Sequence, residues 1–236
     1  MADPLLERFA AGDRRALAEV LTLVENGQAP APPSKPARAT LVVGITGSGG
    51  AGKSTLVGAL IEYLRGLGKK VAVLACDPQS PLTGGALLGD RIRVQFTPGD
   101  LDVFFRSLST RGAQGGVSVA VGPAIDWLKA FGFDVILVET VGVGQDQVAV
   151  RSLVDRMLLL VTPNTGDEVQ WEKAGLIEVA DIVVVNKADL PGADRVRAQL
   201  ISALSLVPGA APPPVLSVVA IKGEGIAELW KAVAET

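Results

Sequence analysis

Residues 47–54 read Gly-Ser-Gly-Gly-Ala-Gly-Lys-Ser, after an apolar run from Leu41 to Ile45 and before a helical pattern from Thr55 to Leu67. This order of strand, glycine-rich turn and helix restricts the chain to folds that place a helix N-terminus beside a strand end. The pattern G-x-x-x-x-G-K-[ST] falls on Gly47, Gly52, Lys53 and Ser54. Its glycines let backbone N–H groups turn inward at close range, and the helix that follows adds the positive end of its dipole. The backbone of Gly49, Gly50, Ala51, Gly52, Lys53, Ser54 and Thr55 is read as a phosphate cradle. Lys53 neutralises β- and γ-phosphate charge and Ser54 ligates Mg²⁺. Ser48 occupies the second position, where partitioning ATPases carry an extra lysine, which argues against that class.

A second motif, Asn186-Lys187-Ala188-Asp189, follows a buried-strand run at 181–185. The Asp189 carboxylate can accept hydrogen bonds from the N1–H and 2-amino group of guanine, and adenine offers neither donor in that geometry. A buried carboxylate left unpaired is costly, so such a site discriminates bases by roughly 10⁴ or more. Asn186 and Lys187 brace the loop and cover the ring. Together the motifs predict a GTP/GDP-binding protein. Val219 and Ala220, in Ser-Val-Val-Ala-Ile, stand where a third guanine loop is expected, with the Ala220 N–H toward guanine O6.

The rest of the chain fits one α/β domain. Strands are expected at 41–46, 70–75, 101–106, 134–139, 157–161, 181–185 and 215–219, and helices at 53–67, 114–131, 169–179, 193–206 and 224–234. This alternation predicts a mostly parallel, doubly wound sheet with ligand loops at the strand C-terminal ends. Residues 1–38 read as a short helix–turn–helix extension and a Pro-rich linker, and 39–236 as the nucleotide-binding domain. The 236 residues are 48% hydrophobic, enough for a sizeable core. A net charge of −3 without a long basic run argues against nucleic acid as partner. No apolar stretch nears the roughly 18 residues of a membrane span. One cysteine, Cys76, excludes an internal disulfide framework, and the N-terminus does not read as a signal peptide, so a cytoplasmic protein is expected.

Two further carboxylates stand at strand ends, Asp77 and Glu139. Both are candidates for the Mg²⁺ shell, Asp77 first and Glu139 beside it; each could equally be a capping or turn residue. Gly142 is placed to sense the γ-phosphate through its N–H, and Gln145 to orient the attacking water. The D-x-x-G switch pattern begins here with Glu139 in place of Asp. Arg106 and Arg111 are read either as phosphate or partner contacts or as solvated loop charges. Of the three tryptophans, Trp127 and Trp230 are expected to pack in helices or at contacts, and Trp171 is the one considered for an interface.

The stretches LLERFAAGDRRALAEVLTLVE (5–25), DPQSPLTGGALLGDRIR (77–93), GFDVILVETVGVGQ (132–145), GDEVQWEKAGLIEVADIVVVNKAD (166–189) and GEGIAELW (223–230) resemble one family. It is the GTPase chaperones of adenosylcobalamin-dependent acyl-CoA mutases, of the MeaB/ArgK/methylmalonic-aciduria type. The segments TGSGGAGKS, GGALLGDRIR and RSLSTR also resemble the G domain fused within isobutyryl-CoA mutase. The resemblance implies a GTPase, slow alone and stimulated by its partner, that gates cofactor loading into a methylmalonyl-, isobutyryl- or related mutase. It also implies that Asp90 is a catalytic or metal-associated carboxylate, although chemistry alone marks it only as a polar loop residue. Lys53, Asp90, Glu139 and Gln145 form the implied catalytic set. Asp167 and Lys173 fall in the family's third switch; their spacing also suits a plain exposed helix start. The family continues into a C-terminal dimerisation arm, and the chain stops at Thr236, so a monomer or another kind of dimer is expected. A nickel metallochaperone of related fold is disfavoured by the absence of His and the single Cys. A transport-system phosphotransferase lacks a recognisable acceptor pocket.

Overall fold

Runs such as Val135–Thr140 and Ile182–Asn186, buried along their whole length, are what strands covered on both faces require. In the computed structural model seven strands form one sheet: β1 (Leu41–Gly47), β2 (Val71–Pro78), β3 (Val103–Thr110), β4 (Val135–Thr140), β5 (Arg156–Val161), β6 (Ile182–Asn186) and β7 (Val215–Val218). The order is β3-β2-β4-β1-β5-β6-β7, and every pairing is parallel. The structure describes residues 3–33, 39–78, 100–110, 118–140, 149–163, 180–206 and 211–235, with 77, 78, 109, 110 and 118 described by backbone alone. The expected mostly parallel sheet is thus wholly parallel among the described residues. The helix expected at 169–179 lies outside them.

The described helices are α1 (Pro4–Ala10), α2 (Arg14–Glu25), α3 (Lys53–Gly66), α4 (Ser118–Phe131), α5 (Ala193–Ser205) and α6 (Ile226–Glu235). Alternation along each strand divides the core between two faces. Val43, Ile45, Val73, Leu137, Leu158 and Val184 meet α3 and α6. Val42, Leu74, Ile136 and Val138 meet α1, α2 and α4, and Leu159, Val161, Val183 and Val185 meet α5.

The N-terminal helices are part of this core. Asp3 and Asp13 cap them, accepting from Leu5 N at 2.9 Å and Arg15 N at 2.8 Å. Leu17, Val20 and Leu21 are fully buried, each contributing about 1.5–3 kcal/mol. Phe9 meets Trp127 edge-on at 4.8 Å. Arg14 donates to the carbonyls of Leu101 and Val103, and its guanidinium lies 5.5 Å from the Phe104 ring. Arg106 pairs with Glu25 of α2 and donates to Thr22 Oγ1 at 3.1 Å. Arg106 is therefore neither a solvated loop charge nor on the phosphate rim, because a mid-strand position on β3 aims it at α2. Arg111 lies outside the described residues.

The opposite, N-terminal rim is tied by aspartates just ahead of strands. Asp134 accepts from Lys70 N at 2.8 Å, Asp155 from Val42 N at 2.7 Å and Asp181 from Met157 N at 2.7 Å. Each side chain binds the backbone leading into or along a neighbouring strand and so helps fix the register.

Candidate functional site

At the C-terminal rim β1 runs into the glycine-rich turn. Gly47 has φ 150° and packs against the Leu160 carbonyl so closely that a Cβ would clash. Gly52 has φ 90°, and a Cβ there would collide with Asn186 Nδ2. Helix α3 begins at Lys53 immediately afterwards, so its N-terminal N–H groups open toward the loop. Lys53 is only 9% exposed, and its ammonium donates to the carbonyls of Gly47 at 2.8 Å and Ser48 at 2.9 Å. The loop therefore already curls around the cation that would meet phosphate. Gly49 has open space around it, Ala51 is fully buried, and Thr55 is exposed one residue beyond Ser54.

Glu139 pairs in register with Ile45 and Ala75 near the ends of β1 and β2. Strand alternation puts it on the same face as Val135 and Leu137, which is the α3 face. There it is 4% exposed and accepts a hydrogen bond from Ser54 Oγ at 2.8 Å. The two hard oxygen donors thus adjoin across the first turn of α3, a donor set suited to Mg²⁺. Asp77 ends β2 on this rim, and its side chain is not described. Asp90, Gly142, Gln145, Asp167, Lys173 and Trp171 lie outside the described residues.

Asn186 ends β6 at 2% exposure. Its Nδ2 donates to Ala51 O at 2.9 Å, and its Oδ1 accepts from Ala220 N at 3.2 Å. One side chain thus ties the phosphate loop to the loop after β7. Lys187 has φ 57°, the one positive value outside glycine among the described residues. It sends Nζ to Gly50 O at 3.0 Å. Both lysines of the two motifs therefore lie against the same loop, one from inside and one from outside.

Asp189, Asn186, Gly52 and Ala220 line a pocket of about 230 Å³. A larger cleft of about 680 Å³ adjoins it, sharing Thr55, Ala220 and Ile221. Val219 and Ala220 are buried in the wall, where Val219 N bonds to Glu224 O at 3.0 Å. Gly52 belongs to both the glycine-rich turn and the pocket, and Ser54 links that turn to the Glu139 carboxylate.

Sequence reasoning missed Lys222. It follows Ala220 in a 3-10 turn (Ala220–Lys222) and forms an ion pair with Asp189 Oδ2 at 3.0 Å. That hydrogen bond with Lys222 holds the Asp189 carboxyl below the usual range, and Asp189 in turn raises the Lys222 ammonium. Ile221, an apolar side chain left 83% exposed beside the pocket, was missed as well. The signal available was Gly223, whose φ of 71° closes the turn that brings these side chains to the base pocket.

The family model described as "Methylmalonyl Co-A mutase-associated GTPase MeaB" matches residues 17–236. A protein of Pyrococcus horikoshii named as a GTPase is 48% identical over 246 residues, covering 99% of this chain and 77% of its own length. The mouse "Methylmalonic aciduria type A homolog, mitochondrial" is 41% identical over 202 residues, covering 83% of this chain and 49% of its own. A solved structure titled as a LAO/AO transport system kinase superposes with a TM-score of 0.72 at 30% identity, covering 100% of this chain and 76% of that one.

Proposed function

The chain belongs to the family of methylmalonyl-CoA mutase-associated GTPases, and from that premise we propose that it is a GTP-driven chaperone gating adenosylcobalamin loading and protection of an acyl-CoA mutase. The observation that carries the nucleotide half of this reading is Asn186, which joins the phosphate loop at Ala51 to the base loop at Ala220. A guanine nucleotide bound along this path would touch both loops that Asn186 couples.

In this reading the cradle N–H groups bind the phosphates, and Lys53 leaves the Gly47 and Ser48 carbonyls for the β/γ oxygens. Ser54 and Glu139 would hold Mg²⁺, with Asp77 and Asp90 completing its surroundings; the ion would neutralise charge on the phosphates. Gln145 would orient the attacking water, and Gly142 would register the γ-phosphate through its N–H. Asp167 and Lys173 would pass nucleotide state to the mutase. Control of the client then requires that GTP and GDP bind the switch states with different affinity. Hydrolysis is slow alone and rises when the mutase completes the site.

The test measures GTP hydrolysis alone and with methylmalonyl- and isobutyryl-type mutases while adenosylcobalamin transfer is followed in the same reaction. Nucleotide-dependent loading of one mutase names the client. No loading of any mutase, with GTP still bound, would sink the chaperone half and leave the GTPase. The kinase title of the 30%-identical solved structure favours phosphoryl transfer to a protein or amino acid as a second reading. Labelled phosphate appearing on an acceptor rather than in solution would establish it.

A further inference from the structure

We propose that Lys222 is a positioning residue for base recognition, holding the Asp189 carboxylate so that both its oxygens face guanine. The inference rests on the guanine reading above. Its grounds are geometric. Lys222 lines the adjoining cleft, and its Nζ lies 3.0 Å from Oδ2 of Asp189, which lines the pocket with Asn186 and Ala220. The 3-10 turn that carries Lys222 is closed by Lys222 N to Val219 O at 2.9 Å and Gly223 N to Ala220 O at 3.2 Å. The Ala220 N–H is itself held by Asn186 Oδ1 at 3.2 Å. The ammonium is thus anchored to the same frame that shapes the pocket.

A carboxylate offers about four lone-pair sites. One cation on Oδ2 takes one of them and leaves a site on each oxygen for the N1–H and 2-amino donors of guanine. Among the described residues, the neighbouring charges are engaged elsewhere or act on Lys222 itself. Lys187, two residues before Asp189, sends its ammonium to Gly50 O at 3.0 Å, and Glu224 stands beyond Lys222 in the Gly223–Gly225 turn, where it favours the Lys222 charge. Asp189 keeps its carboxylate in one orientation through Lys222, so a base that uses both oxygens gains most from the pair.

The experiment measures dissociation constants of GDP, inosine diphosphate, which lacks the 2-amino group, and xanthosine diphosphate by calorimetry. It uses the full chain and its Lys222→Met, Lys222→Arg and Asp189→Asn variants. Lys222→Met should weaken GDP about three- to tenfold, the range for an exposed charge-assisted contact. Inosine diphosphate should change less than about twofold, because it uses one carboxylate oxygen. Lys222→Arg should restore most of the GDP preference, and the acid limb of GDP binding should move to higher pH in Lys222→Met. Equal weakening of GDP and inosine diphosphate, or GDP affinity unchanged or tighter, overturns the proposal. Asp189→Asn separates the two layers: an amide suits the 2-oxo and N1–H of xanthine, so preference should pass to xanthosine diphosphate. If it does and Lys222→Met behaves otherwise than expected, only the role of Lys222 falls. If it does not, Asp189 is not the base reader and both fall.

Discussion

The two rims of the sheet carry the same residue type for opposite purposes. At the N-terminal rim Asp134, Asp155 and Asp181 each spend a carboxylate oxygen on the backbone of a neighbouring segment. At the C-terminal rim Glu139 meets the hydroxyl of Ser54 and Asp189 meets the ammonium of Lys222, both side chains. A carboxylate bound to backbone N–H is committed to holding strands together. One bound to a side-chain hydroxyl or lysine, as Glu139 and Asp189 are, can exchange or share that partner with a ligand, and Asp189 lines a cavity. In a parallel sheet, whose loops all turn the same way at each end, the acids just ahead of strands thus differ in their partners from those at or beyond a strand's C-terminal end.

Substitutions on each rim test that division. The largest effect is expected from Lys53→Ala, which removes the buried ammonium of the phosphate loop. GTP hydrolysis should fall by about 10²–10³, the loss typical of removing one preorganised charge donor. Lys53→Ala also takes a donor from the buried Gly47 carbonyl, so a modest drop in thermal midpoint should accompany the loss of hydrolysis. A comparable loss of hydrolysis from Asp181→Ala would erase the distinction between rims. Asp181→Ala should instead cost about 1–3 kcal/mol in denaturant unfolding. It strips Met157 N of its acceptor and Arg151 of its partner at 2.8 Å, and nucleotide affinity should be unchanged.

Why the sequence yields one rim better than the other follows from the same chemistry. The glycine-rich turn was legible because Gly47 and Gly52 are required by backbone conformation and Lys53 and Ser54 follow at fixed spacing in one loop. Strands such as β4, β5 and β6 were legible because burial on both faces demands continuous apolar runs, whereas β3, which carries Arg106 and Ser107, runs to Thr110 beyond the expected 101–106. The pairing of Lys222 with Asp189 was not, because it joins loops after β6 and β7 that meet only in the folded sheet. The fate of Arg106 was hidden for a related reason. Its partner Glu25 lies in α2, far along the chain, and nothing local tells a strand arginine facing a helix from one facing a phosphate. The aspartates of the lower rim look, in the sequence, like any acids beside a strand.

Asn186→Ala probes the one residue that serves both purposes. It sits on the ligand rim, yet it bonds backbone on both sides, to Ala51 O and Ala220 N. Removing it should cost about 1–2 kcal/mol of stability, as for a satisfied buried polar group. GDP affinity should fall by about tenfold, because the two loops lose their shared brace. A stability loss with GDP binding intact would place Asn186 with the lower rim instead. Asn186→Asp, which keeps one acceptor for Ala220 N and loses the donor to Ala51, should weaken nucleotide binding while Val219 and Ala220 stay in place.

The smallest effect concerns acid. Lys222 holds the folded Asp189 carboxyl below its unfolded value of about 3.9. The unfolded chain then binds more protons in that range, so stability rises with pH there. The contribution is complete above the unfolded pKa and is lost as pH falls through the lower folded one. Asp189 is exposed, so the increment is slight, and Lys222→Met should abolish it. Unfolding midpoints of wild type and Lys222→Met, compared from neutral pH down to about pH 3, should therefore converge as Asp189 is protonated. Curves that stay parallel through that range would mean the ion pair leaves Asp189 energetically untouched, and the upper-rim acid would then owe nothing to the lysine beside it.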